Sequence, residues 1–242
     1  MITERDIAKR FSATWLESFP VLSANFMRVF NESHISQYHG NQFVPILGHS
    51  DVVSEYGFFL AKLAFEEKID LHDARISVPL HDTAFSNALS TFHNTSRVSD
   101  LPDNLSEEER KEGLQLASNI LSFINSFNPT QVTFMPKVSG YGIIGACNAD
   151  VSIDHTLFEI KTVKRTFRSK DLKQLILYLA LGTISGEQEW SHAGLYNPRS
   201  GRFCRFNIAG LIGYLSGGRT PIDAFRRLLD SLSRDALNEQ RF

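Results

Sequence analysis

Between residues 131 and 208 the chain passes through five short β-rich segments, at 131–135, 149–153, 157–163, 192–196 and 203–208, interrupted once by a helical stretch. A helix inserted between strands of one sheet is the crossover that lets two strands run parallel, whereas the tight turns elsewhere demand antiparallel neighbours. That order predicts an α/β core with a central mixed β-sheet flanked by helices. The helix itself shows an apolar stripe of Leu172, Leu175, Ile176 and Leu179, with Ser169 expected as its cap and Gly182 as the point where it fades.

Helices are expected on both sides of these segments. Ser106 followed by Glu109 reads as a capping box opening a helix through Leu114, Leu116, Ile120, Leu121 and Ile124, which should stop near Asn128-Pro129. Thr220-Pro221-Ile222-Asp223 opens a C-terminal amphipathic helix. Earlier, Ile7, Phe11, Trp15 and Leu16, and again Val52, Tyr56, Phe59, Leu60 and Leu63, recur at helical spacing. Residues 94–105 then shift to Asn, Thr, Ser, Asp and Pro, a linker composition. We therefore expect a helical N-terminal lobe over 1–100 and a core with a C-terminal helix over 101–242, or one continuous domain.

Bulk composition narrows the function classes. With 242 residues, 42% hydrophobic and 21% charged, the chain belongs with soluble globular proteins. The longest apolar runs fall short of the roughly 18 residues of a membrane span. The N-terminus lacks a signal-peptide pattern, so a cytoplasmic protein without membrane association is expected. A net charge of −2 argues against nonspecific coating of nucleic acid, so any such contact is local. Cys147 and Cys204 stand in no CxxC pair and read as core thiols.

The residues that carry chemistry lie in Asp150-Val-Ser-Ile-Asp-His-Thr-Leu-Phe-Glu-Ile-Lys161. Read as two strands joined by a turn at His155-Thr156, the segment pairs 154 with 157, 152 with 159 and 150 with 161. Alternation sends Glu159 and Lys161 to one face, a cleft, and Phe158 and Ile160 to the other, the core. Asp150 then lies opposite Lys161 and diagonal to Glu159, at roughly 5 to 8 Å between Cβ atoms. Two carboxylates so placed suit a hard cation such as Mg²⁺ or Mn²⁺, the Ile160 carbonyl adds an oxygen ligand, and Lys161 beside them can orient or help deprotonate a water.

Asp150, Glu159-x-Lys161 and the following helix with Gln174-x-x-x-Tyr178 together resemble the RecB-like branch of the PD-(D/E)XK nucleases. The approach Pro136 to Gly140, Gly145-Ala146 and Ala149-Asp150 adds to the likeness, which covers about 100 residues. The resemblance implies a restriction-endonuclease-like core, DNA as partner, and phosphodiester hydrolysis by Asp150, Glu159, Lys161, Gln174 and Tyr178. It also implies a further acidic metal ligand on an earlier helix, for which Glu55 is the leading candidate and Glu108 and Glu112 the alternatives. Two distant cysteines cannot ligate the iron-sulfur cluster of some relatives, so none is expected. With no P-loop in the chain, any ATP-driven unwinding would need a helicase or other ATPase partner, and a homo-oligomer is equally open.

Lys161, Lys164, Arg165, Arg168, Lys170 and Lys173 stand against one acid, Asp171, and Lys164, Arg165, Arg168 and Lys170 are expected to contact phosphates. Asp154 reads as a turn former. His72-Asp73 and His81-Asp82 invite comparison with HD phosphohydrolases, but that fold needs ligands on helices, and His81 follows Pro79 in an apparent strand or loop. The rival from another class is a noncatalytic nucleic-acid-binding or scaffold subunit with the same fold.

Overall fold

The computed structural model describes residues 4–46, 49–71, 78–92 and 101–239. Three helices, α1 (Glu4–Lys9), α2 (Ser12–Ser18) and α3 (Ala24–Ser33), lead into strand β1 (Ser36–Gln37). Helices α4 (Ser50–Glu67), α5 (Val78–Ser90) and α6 (Glu107–Asn125) follow. Next come β2 (Val132–Phe134), β3 (Lys137–Val138), β4 (Cys147–Asn148), β5 (Val151–Ile153) and β6 (Thr156–Ile160). The chain closes with α7 (Ser169–Ser185), β7 (His192–Asn197), β8 (Arg202–Asn207), α8 (Ile208–Ser216) and α9 (Pro221–Glu239).

Six strands form one mixed sheet in the order β1-β8-β7-β6-β5-β2, and β3 and β4 form a separate ribbon. Among the described residues β6 and β7 are the one parallel pair, joined by α7 as the crossover. The sheet separates two apolar clusters. On one face Leu157, Ala193 and Leu195 pack with α7, α8 and α9 and with Ile7, Trp15, Phe19, Met27 and Phe30 of the first helices. On the other, Val151, Ile153, Phe158 and Tyr196 pack with α4, α5 and α6. The chain is thus α/β, a central mixed sheet between two helical layers. No helix among the described residues is long and apolar enough to cross a membrane.

Local chemistry explains several helix ends. Ser106 Oγ accepts from Glu109 N at 3.2 Å while Glu109 Oε2 accepts from Ser106 N at 2.9 Å, the reciprocal box anticipated for α6. Helix α7 corrects the expected cap. Its N-cap is Arg168, and Asp171, one turn in, accepts from the Arg168 amide at 2.8 Å, so the acid closes the turn without help from Ser169. The helix also outlasts Gly182 and ends on Gly186 in the left-handed conformation. Helix α8 was not anticipated: Asn207, read as strand, accepts from Gly210 N at 3.0 Å and starts a helix where the strand was expected to end.

The segment around His81, expected as strand or loop, is α5, with Pro79 in its first turn, where its missing N–H costs nothing. The His81 imidazole hydrogen-bonds the Tyr56 hydroxyl, and burial pushes that phenol up to about 12. His72-Asp73 and most of the 94–105 linker lie outside the described residues.

Helix α4 approaches α6 through Gly57 and Gly113. A Cβ on Gly57 would stand 2.9 Å from the Gly113 carbonyl, and one on Gly113 would stand 2.2 Å from the Tyr56 ring. These glycines set how closely α4 lies over α6. Gly113→Ala is therefore expected to cost about 1–3 kcal/mol through overpacking, read from urea unfolding midpoints.

Candidate active site

The β5–β6 hairpin places the chemistry, in a register that corrects the expected one. Ser152 pairs with Leu157 and Ile153 with Thr156, so the loop is Asp154-His155 and not His155-Thr156. Asp154 takes the turn because an aspartate tolerates the left-handed region, here at φ 50°, where β-branched Thr156 does not. The Asp154 carboxylate also accepts from Thr130 N, Thr130 Oγ1 and Gln131 N, bolting the turn to the start of β2.

The correction is a slip of two residues, which leaves every side chain on its expected face. Leu157 joins the α7-side cluster and Phe158 the α6-side cluster, so Glu159 and Lys161 share the α7 face. One step past the last pair, Val151 with Phe158, Asp150 comes opposite Glu159. Its Oδ2 accepts from the Ile160 amide at 2.6 Å. The N–H and C=O of one strand residue point the same way, so the Ile160 carbonyl also lies on the Asp150 side.

Glu159 does not face an open cleft as expected. It is 2% exposed and lies beneath α7. Lys161 Nζ donates to Glu159 Oε1 at 2.5 Å and to Gln174 Oε1 at 2.8 Å, and Gln174 Nε2 donates to Tyr178 OH at 2.9 Å. Residues 174 and 178 stack on one helix face, which is why one glutamine bridges lysine and tyrosine. Burial alone would lower the Lys161 ammonium, but the Glu159 and Asp150 carboxylates outweigh it and hold the group above its usual value. Lys161 is a cation in this arrangement, not a free base.

Asp150, Glu159, Ile160, Lys161 and Tyr178 line one cavity of about 160 Å³, and Glu55 of α4 lines its opposite wall with Phe58 and Phe59. Of the other candidate acids, Glu108 is exposed and Glu112 is buried against Arg199, at 2.6 Å. Among the described residues no three His, Cys, Asp or Glu side chains converge as a ready ligand set. The donors that line the cavity are hard oxygens, the carboxylates of Asp150, Glu159 and Glu55 and the backbone of Ile160. That donor chemistry fits Mg²⁺ or Mn²⁺, which take one or two protein carboxylates and keep several waters.

The basic run divides. Lys164, Arg168 and Lys170 are exposed. Arg165, expected on phosphate, grips Asp171 through two nitrogens at 2.5 and 2.9 Å and serves α7 instead. Lys173 lies over the Trp15 ring, 5.3 Å from its centroid.

Sequence reasoning missed Arg199 and Asn197, which read only as a turn. Arg199 is 1% exposed, pairs with Glu112, and donates to the Pro45 and Thr162 carbonyls at 2.8 and 3.3 Å. Asn197 Nδ2 donates to the Val163 carbonyl at 2.6 Å. Together they hold the two residues that follow Lys161. An arginine in an Asn-Pro-Arg-Ser-Gly turn is ordinarily solvent-exposed, so nothing local marks it as buried.

No family model, curated protein or solved structure matches this chain.

Burial would raise the Asp171 carboxyl, yet Arg165, the Arg168 amide and Lys161 hold it below its ordinary value. A depressed carboxyl contributes stability above its unfolded value, lost as pH falls through the lower folded one. Below about pH 4 the parent should therefore lose stability that Asp171→Asn, already weaker at pH 7, does not lose. Thermal melts of both proteins across pH 2 to 7 check this.

Proposed function

We propose that this protein is a metal-dependent nuclease that hydrolyses phosphodiester bonds of DNA, with a restriction-endonuclease-like core of the PD-(D/E)XK kind. The observation that carries the reading is that Asp150, Glu159, Lys161 and Glu55 line one cavity, backed by the Gln174–Tyr178 pair. Asp150, Glu159, the Ile160 carbonyl and Glu55 would hold Mg²⁺ or Mn²⁺, and the ion would supply positive charge to the phosphate and acidity to a water.

The chain's own groups do the rest. The Ile160 amide fixes the Asp150 carboxylate, so that side chain is oriented before any substrate arrives. Lys161 brings a charged ammonium to the cavity, where it offsets negative charge building on the phosphate in the transition state. Gln174, itself held by Tyr178, receives one Lys161 hydrogen and so sets the direction of the others. The phenyl rings of Phe58 and Phe59 wall one side and limit water access.

One observation favours the noncatalytic alternative: Lys161 and Glu159 Oε1 are already joined in an ion pair. Assays on linear and circular single- and double-stranded DNA with Mg²⁺, Mn²⁺ or EDTA separate the two. We expect metal-dependent cleavage, abolished by Asp150→Ala and by Glu159→Ala and reduced on the order of 100-fold or more by Lys161→Ala. Substantial cleavage by either carboxylate variant at saturating Mg²⁺ would refute the site.

A further inference from the structure

We propose that the groove between α3 and the segment leading into α7 carries the phosphate backbone of the bound nucleic-acid strand to one side of the scissile bond, an inference that rests on the nuclease reading. The groove measures about 720 Å³, far more than one phosphate fills. Its arginines come from three separate stretches of chain: Arg28 of α3, Arg168 before α7 and Arg202 at the start of β8. Arg168 was expected on phosphate, but its grouping with Arg28 and Arg202 was not legible, because 174 positions separate the first from the last.

Charge decides what the groove suits. Its charged lining is three arginines and one acid, Glu32, or 3 − 1 = +2, in a chain whose net charge is −2. Arg28 is shared with Glu32 at 2.9 Å, which leaves Arg168 and Arg202, both exposed, as the principal anion contacts. The remaining polar wall is neutral amide and hydroxyl, from Gln37, Thr166 and Ser169 among others. Ala24, Met27, Ile35 and Phe167 add an apolar floor, and it is the arginine excess above it that suits an acidic polymer.

The walls are preformed. Asn31 of α3 donates to the Phe167 carbonyl at 2.9 Å and accepts from the Phe167 amide at 3.1 Å, clamping the helix to the opposite side. The groove is also within reach of the chemistry. Thr162 lines the active-site cavity and Thr166 lines the groove, four residues that span at most about 14 Å. Phosphates along one strand of a duplex are spaced about 3.4 Å along the axis, so a strand whose scissile phosphate sits in the cavity reaches the groove within about four phosphates. Exposed Lys164 lies between the two sites in sequence.

The test uses the full chain in Ca²⁺, which occupies hard-oxygen sites, with fluorescein-labelled 20-nucleotide single-stranded and duplex DNA followed by anisotropy across salt concentrations. Arg168→Glu/Arg202→Glu should flatten the slope of log affinity against log salt by about 1.4 to 1.8, two contacts of roughly 0.7 to 0.9 each. Arg226→Glu/Arg234→Glu, on exposed positions of α9 and with the same change in net charge, should leave the slope near the parent value. Parallel cleavage assays in Mg²⁺ keep the two readings apart. A parent that binds and cleaves while the Arg168/Arg202 variant keeps its slope overturns the groove alone. Equal flattening by the α9 variant also overturns it, since the effect would then be net charge. A parent that binds without cleaving, with the slope lost only in the groove variant, supports the groove and removes the catalytic reading. A parent that binds neither probe overturns both.

Discussion

The burial of Glu159 beside Lys161 is the constraint around which the rest of the site is arranged. A carboxylate 2% exposed within a sheet carries a desolvation penalty of several kcal/mol unless a cation and further hydrogen bonds accompany it. Lys161 supplies the cation because side chains two apart on a strand share a face. Its ammonium then needs acceptors of its own, and Gln174 provides one only if α7 crosses β6 and β7 at this height. The crossover is therefore positioned by a polar requirement as much as by its leucines. Asp171, Gln174 and Tyr178 form a polar seam on a helix whose Leu172, Leu175, Ile176 and Leu179 are fully buried.

A second buried pair fixes the strand's exit. Arg199 and Glu112 neutralise each other between α6 and the β7–β8 turn, and Arg199 spends further donors on the carbonyls of Pro45 and Thr162. Removing either partner would strand the other's charge in the core, at about 3–5 kcal/mol. Thr162 follows Lys161 directly, so this pair and Asn197 hold the backbone that presents the ammonium. The strand that lines the cavity is thus held from the α7 side through Gln174 and, past Lys161, through Arg199, itself paired with Glu112 of α6.

These relations differ in how much of them a single sequence can show. The strand pair 150–161 was legible because period-two alternation survives an even slip in register: the turn was misplaced, yet Asp150, Glu159 and Lys161 kept their faces. The capping box of α6 was legible because both partners lie within four residues. Helix α8 was not, since Gly210 and Gly213 weaken its helical signal and its Asn207 cap doubles as the last strand residue. Arg199 was invisible for a deeper reason. Its partners Glu112, Pro45 and Thr162 are distant in sequence, and only the folded chain turns an exposed-looking arginine into a buried one.

The same distinction governs the basic run. Six cations between 161 and 173 suggest a strong local field, but three are consumed within the protein: Lys161 by Glu159, Arg165 by Asp171 and Lys173 by the Trp15 ring. A consumed cation still adds to the long-range potential, yet it cannot displace a counterion from a phosphate without first giving up its partner. The count that matters for binding is the number of exposed, unspent cations, and here that leaves Lys164, Arg168 and Lys170. Arg202, which lines the same groove as Arg168, restores part of what the run loses internally. Electrostatic footprints are therefore a property of the fold, assembled across segments, and a run of basic letters overstates the contacts within it while missing those outside it.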